Sequence, residues 1–402
     1  MPAKHVCLIT PGYISANPRL LKEATALSAS GYRVTVLCNG EDPNQAERDQ
    51  RLVAGFTRVV FKPRSPLVRR ISRLRQMLAM RLGWLRHDSL RAFALSPLWP
   101  TLRASALGIR ADLYIGHNLA ALPVAAAAAA KYQAPFAFDA EDLHVEELPD
   151  SRADGLERAC RRRAEARWLP LAAYVSAAAP LFKPYLRQHY GISAQVILNA
   201  FPRAMAPAAP SLSDDGSLYW VSQTIGPGRG LEAMLEILGL TRTRPPLRLR
   251  GAADPLFCER LMARAQALCV VLELLPTAAP EDMAVLARDC ALGLAIEVED
   301  GLNRQLCLTN KLFFYLLAGV PTVFSATPAQ RAIAAELGCA AFVIDLNDHP
   351  GSAALVDAFL EDPERRRAAR EHAYMLGQTR FNFEHETPKL LTLVAAALKG
   401  ER

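Results

Sequence analysis

Short apolar runs alternate with helix-period stretches along almost the whole chain, and the alternation starts twice. The first series opens with a strand at 6–10, passes through a loop, and enters a helix with Asn17 as N-cap and Pro18 at its first position. Gly31 ends that helix, and a strand at 33–38 completes a β-α-β unit. Further strands are expected near 58–61, 112–117, 135–139, 172–176 and 195–199. The second series begins with a strand at 218–222, a Gly-rich loop and a helix at 231–240. Strands at 247–250, 270–274, 292–297, 322–325 and 341–344 follow, separated by helices at 256–268, 281–290, 310–318 and 328–337. Such alternation implies parallel sheets covered on both faces. The expected fold is α/β: two tandem doubly wound, Rossmann-like domains facing a cleft, with ligands bound outside the carboxyl ends of the strands.

Between the two series lies FPRAMAPAAPSLSDDG, rich in Pro, Ala, Ser and Asp and without any period, which is expected to be a linker. It separates a first domain, 1–199, from a second, 200–377, and leaves 378–402 as a C-terminal segment. A chain of 402 residues can bury two such cores, and 51% hydrophobic with 22% charged residues excludes a disordered protein. The eight cysteines are scattered singly with no CxxC pair, as suits reduced, mostly buried thiols. The start MPAKHVCLITPGY enters a strand too early for a secretory signal. The uncharged run Leu113–Ala130 contains Gly116, His117, Asn118 and Pro123, which suit no membrane span. A cytoplasmic protein is expected.

Two loops at strand ends carry the residues suited to an anion. In SQTIGPGRG, Ser222 to Gly230, glycines such as Gly228 let backbone approach a ligand. The helix start that follows offers unpaired N–H groups, and Arg229 adds a charge. The first-domain loop TPGYISANPRL is placed similarly, with Gly12 in its turn and Arg19 in the first turn of the helix. Loops of this composition also serve merely to reverse the chain. A third stretch, LCLTNKLFFYLLAGVP, presents Thr309, Asn310 and Lys311 at a helix N-terminus. The acidic run FDAEDLHVEELPD matches no tight metal-ligand spacing, so no metal is assigned, and Glu141 or Asp142 is given an acceptor-side role beside Arg19.

The charge is uneven. Nine bases lie between Lys62 and Arg91 against the single acid Asp88, and the rest of the chain is close to neutral. In the same segment Leu67, Ile71, Leu74, Leu78, Leu82 and Leu85 recur at spacings that place them on one helical face. Such a helix suits an anionic membrane surface, and equally a core-packed helix with a solvated basic back. No aromatic interleaving or binding motif points to nucleic acid.

Five blocks in order, ISANPRLLKEATALSASGYRVTVL, DLYIGHNLAALP, VSAAAPLFKPYLRQHYGI with VILNAFP, SQTIGPGRGLEAMLEIL and LTNKLFFYLLAGVPTVFSATPAQR, resemble the landmarks of nucleotide-sugar-dependent glycosyltransferases of the GT-B fold. The likeness is to the large retaining bacterial group, glycosyltransferase family 4-like, and covers nearly the whole chain. It implies a donor site in the second domain, an acceptor site in the first, and a last helix, 383–398, crossing back to the first domain. It implies that Arg229 meets the donor diphosphate and that His117 is the active-site histidine reaching the donor sugar or transferred group. It further implies transfer of a hexosyl group with retention, without metal or cofactor, to a lipid-linked or cell-surface glycan. Arg229, Lys311 and helix N-termini would stabilise the leaving diphosphate.

The chain departs from that group in one respect. Two glutamates eight positions apart, the later gripping the ribose, correspond here to Leu306 and Phe314. Glu297, Glu299, Asn303 and Arg304 are the replacements on offer, as in a bacterial subgroup where a strand-end Glu, an NR pair and TNK recur. The departure leaves two rivals open: a binding or scaffold protein of the same fold that has lost its chemistry, and a sugar-nucleotide epimerase or hydrolase.

Overall fold

The computed structural model describes residues 3–61, 66–82, 87–148, 154–211, 213–298 and 300–400. Glu299, Leu85, Lys62, Arg64 and Arg86 lie outside the described residues. The chain divides into two compact units, Met1–Ile197 with Thr387–Arg402, and Leu198–Glu386.

The first unit is built on seven parallel strands: β1 (His5–Ile9), β2 (Arg33–Asn39), β3 (Thr57–Phe61), β4 (Leu113–His117), β5 (Phe136–Ala140), β6 (Val175–Ala177) and β7 (Gln195–Val196). Their order is β3-β2-β1-β4-β5-β6-β7, so the direction of winding reverses between β1 and β4. Its helices are α1 (Pro18–Ala29), α2 (Pro43–Arg51), α3 (Pro66–Leu82), α4 (Asp88–Leu95), α5 (Trp99–Ala106), α6 (Leu122–Tyr132), α7 (Gly155–Trp168) and α8 (Phe182–Tyr190). Strands β1, β4 and β5 are buried along their whole length, as expected of a sheet covered on both faces. The last strand is shorter than its sequence suggests. Ile197 N still donates to Ala177 O of β6 at 3.0 Å, but the Ile197 carbonyl turns away and accepts from Arg19 Nη1.

The second unit carries β8 (Leu218–Ile225), β9 (Leu247–Ala253), β10 (Leu272–Leu275), β11 (Leu292–Ala295), β12 (Thr322–Ser325) and β13 (Ala341–Ile344), in the order β10-β9-β8-β11-β12-β13 with every pair parallel. Its reversal falls between β8 and β11. The helices are α9 (Leu231–Leu240), α10 (Pro255–Ala267), α11 (Met283–Ala287), α12 (Leu302–Leu306), α13 (Lys311–Ala318), α14 (Pro328–Leu337), α15 (His349–Leu360), α16 (Pro363–Thr379) and α17 (Phe383–Lys399). From Thr387 onward α17 groups with the first unit, where Leu390, Val394 and Ala397 join its core.

Two expectations need correction. Strand β8 runs on to Ile225, past a register shift between Val221 and Thr224, so the start of the expected Gly-rich loop is sheet. The shift brings Ser222 against β9, where a Cβ on Gly251 would lie 2.5 Å from the Ser222 carbonyl oxygen. The expected linker is likewise part of the second unit. Tyr374 Oη donates to the Pro207 and Ala208 carbonyls at 3.0 and 3.2 Å, Arg370 Nε to Ser211 O at 3.0 Å, and Arg366 Nη1 to Asp214 Oδ1 at 3.1 Å. A proline-rich strap has carbonyls but few N–H donors, and α16 supplies donors from its side chains.

Helix α3 resolves the choice left by its amphipathic pattern. Gln76 Nε2 donates to Ala94 O, and Ala79 and Met80 pack with α4 and α7. The opposite face is left bare: Leu67 is 66% exposed, Leu74 62% and Leu78 58%. Leu67, Leu74 and Leu78 of the stripe are therefore not core.

Candidate functional site

Asn17 builds the first cluster. Its Oδ1 caps α1 by accepting from Leu20 N at 2.9 Å, and its Nδ2 donates to Glu141 Oε1 at 2.6 Å. The cap sets the phase of α1, so that Arg19, Lys22 and Glu23, at i, i+3 and i+4, all turn inward and are buried. Strand β4 ends opposite them at His117. There a Cβ on Gly116 would press on the backbone of Ala121, 3.2 Å from its carbonyl carbon. Asn118 follows with φ 68 and ψ 148, a conformation nearly confined to glycine and costing about 1–3 kcal/mol.

The His117 ring has no solvent exposure. Nδ1 lies 3.2 Å from Glu141 Oε1 and 3.5 Å from Asp139 Oδ2, and Nε2 lies 3.3 Å from Glu23 Oε2, an ion-pair distance without hydrogen-bond alignment. Burial disfavours a charged ring, but Glu23 and Glu141, with Asp139, outweigh it and raise the imidazole to about 10. Asp139 is spanned by Arg19, whose Nε and Nη2 donate to its two oxygens at 2.5 and 2.7 Å, and it also accepts from Ser176 Oγ at 2.5 Å. Burial, helped by Arg19, lowers Lys22 to about 7. Of the carboxylates facing His117, Glu141 reaches solvent, with 22% of its side chain exposed, and Asp142 beside it is half-buried.

Glu23, His117 and Asp139 place ligand atoms within 4.8 Å of one another, a spacing that would admit a metal ion. The chemistry does not fit one. Both Asp139 oxygens are taken by Arg19, a cation would lie against that guanidinium, and the imidazole holds its proton.

Gly12 sits after β1 in this same unit, its N–H donating to Thr10 Oγ1 at 3.2 Å. The amides that follow its turn are committed. Ile14 N and Ser15 N donate to the carboxylate of Asp49, a buried residue of α2, at 3.0 and 2.8 Å.

The second cluster forms at the β8/β11 switch point. Gly228 and Gly230 take φ of 71 and 76, and a Cβ at Gly230 would lie 2.9 Å from Leu346 Cδ1. Gly230 caps α9 without a side chain, leaving the first amides of a ten-residue helix without a capping partner among the described residues. Arg229 is half-buried there with no ion pair or hydrogen bond to the described residues. Arg304 is spent differently, since its Nη1 donates to Gly228 O at 2.7 Å and braces the loop.

Beyond β11, Ser325 clamps the Glu297 backbone, accepting from its N–H at 2.8 Å and donating to its carbonyl at 2.6 Å. The Glu297 carboxylate stands 3.4 Å from Lys311 Nζ, which also donates to Thr309 Oγ1 at 3.2 Å and lies 5.4 Å from the Trp220 ring centroid. The structure thus brings Glu297, Thr309 and Lys311 together, with Lys311 already neutralised. Asn310 is exposed and does not cap α13 with its side chain. Phe314 packs edge-on to Tyr315 at 4.5 Å and to Phe201 at 6.1 Å, and Tyr315 Oη donates to the β8 carbonyl of Tyr219 at 2.8 Å. These contacts account for the aromatic centre of α13: it fastens the helix to the sheet.

Sequence reasoning missed Glu23. The Arg19 and Glu23 spacing, set among Leu20, Ala24 and Leu27, was the available sign that this helix buries charge.

Residues 16–200 match the family model of the glycosyl transferase 4-like domain. No curated protein matches the chain by sequence. Among solved structures, Anabaena HepE in complex with UDP-glucose is 14% identical over 98% of this chain and 100% of its own, with a TM-score of 0.69. Sucrose-phosphate synthase from Thermosynechococcus elongatus is 14% identical over 99% and 100%, with 0.72. WaaG, a glycosyltransferase involved in lipopolysaccharide biosynthesis, is 13% identical over 96% and 99%, with 0.61. The match to the glycosyl transferase 4-like domain is confined to residues 16–200, and the two doubly wound units have the GT-B fold of the structures the chain resembles.

Proposed function

We propose that the protein transfers a hexosyl group from a nucleotide-sugar donor to a lipid-linked or cell-surface glycan, with retention and without a metal. The observation that carries this reading is Arg229, a cation without a partner among the described residues, at the open N-terminus of α9 beside two left-handed glycines. Unpaired amides and an adjacent guanidinium are what a diphosphate needs as it leaves. Glu297, Thr309, Asn310 and Lys311 would border the donor, with Glu297 replacing the ribose grip that Phe314 does not provide. Arg304 would shape the Gly228 loop. Acceptor chemistry belongs to the first unit, where Glu141 and Asp142 stand before Arg19 and His117. HepE, a structural neighbour, has been solved with UDP-glucose, which makes a UDP-sugar the first donor to try.

A thermal-shift panel of UDP, GDP, CMP, dTDP and ADP tests the reading. Stabilisation by one of them, abolished in Arg229→Ala, is the expected result. No shift with any would favour a binding or scaffold protein, and sugar released without acceptor would favour a hydrolase.

The reading also places the protein at the cytoplasmic face of a membrane. Support comes from α3, whose bare leucine stripe is flanked by Arg70, Arg75 and Arg81, none of them paired among the described residues. Co-sedimentation with vesicles containing anionic lipid, lost when Arg70, Arg73 and Arg75 are neutralised, is expected. Equal sedimentation with neutral vesicles would refute it.

A further inference from the structure

We propose that Glu23 is a positioning residue that acts through His117 to hold the Glu141 carboxylate, so that Glu141, and not the imidazole, meets the substrate hydroxyl. The last link, from Glu141 to substrate, rests on the glycosyl-transfer reading. The first two rest on geometry alone.

Access separates the two candidates. The His117 ring is wholly enclosed, and each of its nitrogens faces a carboxylate, so no ligand reaches it while the cluster stands. Glu141 is half-buried and is held on one side only. Its Oε1 receives Asn17 Nδ2 at 2.6 Å and faces His117 Nδ1 at 3.2 Å, while Oε2 has no partner among the described residues. One oxygen is fixed and the other is left to accept a hydrogen bond from outside.

The part played by Glu23 follows from what an imidazole can offer. A neutral ring has one N–H and one lone pair, so one of its nitrogens would turn a lone pair toward a carboxylate. A protonated ring donates from both. With Glu23 at ion-pair distance from Nε2, and Glu141 and Asp139 at Nδ1, the doubly protonated, cationic ring is the form whose charge suits the cluster. Every charged group packed around it bears on that choice: Arg19, Lys22 and Glu23 from α1, Asp139 and Glu141 from the end of β5, and the buried Tyr174 hydroxyl ahead of β6. Arg19 is drawn to Asp139 and lies 3.8 Å from Glu23, so Glu23 is left as the counter-charge on the far side of the ring. The raised imidazole value agrees with this arrangement. A ring that keeps both protons always presents Nδ1–H to Oε1, and Glu141 then keeps one orientation.

The test uses the full chain with two readouts. In 15N spectra of the histidine side chains, with His117→Gln used for assignment, His117 is expected to stay doubly protonated from pH 6 to pH 9. In Glu23→Gln it is expected to titrate inside that range. With UDP-glucose as donor probe and water or glycan as acceptor, Glu23→Gln is expected to lower kcat tenfold or more, to leave the donor KM unchanged, and to lose more activity as pH rises. Glu141→Gln is expected to lose activity equally at all pH values. A purely structural Glu23 would lower folded protein without a new limb in the pH profile. Wild-type His117 titrating near neutrality, or an unchanged pH profile in Glu23→Gln, overturns the proposal. Should Glu23→Gln fail to fold, Glu23→Asp, which keeps the carboxylate, is expected to restore both fold and the doubly protonated ring, and a ring that titrates there counts against the idea. Absence of turnover with every sugar nucleotide overturns the transfer reading and the Glu141 role together, while the ring spectra still decide the link between Glu23 and His117.

Discussion

At the β1/β4 switch point of the first unit, Arg19, Lys22, Glu23, His117 and Asp139 are buried against one another. At the β8/β11 switch point of the second, Arg229 stands half-buried beside helix amides that no described side chain caps. The two sites share a topological position and differ in how their charges are satisfied. The first group has met its electrostatic requirements within the protein, so altering a member disturbs the fold. The second retains unmet capacity, so altering it should disturb a ligand.

The strongest way to break this contrast is Arg19→Ala. It would leave Asp139 buried with only Ser176 and His117 to face it, and losing one partner of a buried ion pair costs about 3–5 kcal/mol. Urea unfolding followed by circular dichroism is expected to show a loss of that size. A loss under about 1 kcal/mol would mean that the first cluster does not support the fold.

Arg229→Ala is the opposite case. With no partner to abandon, it is expected to change stability by no more than about 0.5 kcal/mol. Removing a charge-assisted contact worth about 1.5–3 kcal/mol should weaken UDP binding some ten- to a hundredfold, measured by titration calorimetry. A variant that binds UDP as wild type does would show that the loop of the second unit is only a turn.

Much of this contrast was legible in the sequence, because strands and helices follow from local periodicity. The runs at 322–325, 328–337 and 341–344 form the elements expected of them. What was not legible depends on which face packs and on pairings set by the sheet. Amphipathicity located α3 but could not say that Ala79 and Met80 would pack while Leu74 and Leu78 stayed out. Glu297 and Lys311 each suit a ligand, yet the ends of β11 and α13 bring them together. The family resemblance makes His117 the expected active-site histidine, and only the fold reveals three carboxylates around it.

The smallest effect sharpens the comparison from within the first cluster. His117 is raised from 6.5 to about 10, so above pH 6.5 the folded state keeps a proton that the unfolded chain gives up, and stability falls as pH rises toward 10. Lys22 is lowered from 10.5 to about 7, so above pH 7 the folded state releases a proton that the unfolded chain keeps, and stability rises with pH toward 10.5. Between pH 7 and 10 the two slopes oppose each other, each at most about 1.4 kcal/mol per pH unit. Lys22→Met keeps the apolar stem of the side chain and removes the rising slope, leaving that of His117 uncovered. Denaturant unfolding at pH 7, 8 and 9 is then expected to show the variant losing stability with pH, by up to about 1.4 kcal/mol per unit, relative to the wild type. If the variant instead tracks the wild type at all three values, the two groups do not hold the charges their surroundings imply. The second unit offers the control, since Arg229→Ala removes a side chain with no ion pair or hydrogen bond to the described residues and should leave the pH dependence of stability unchanged.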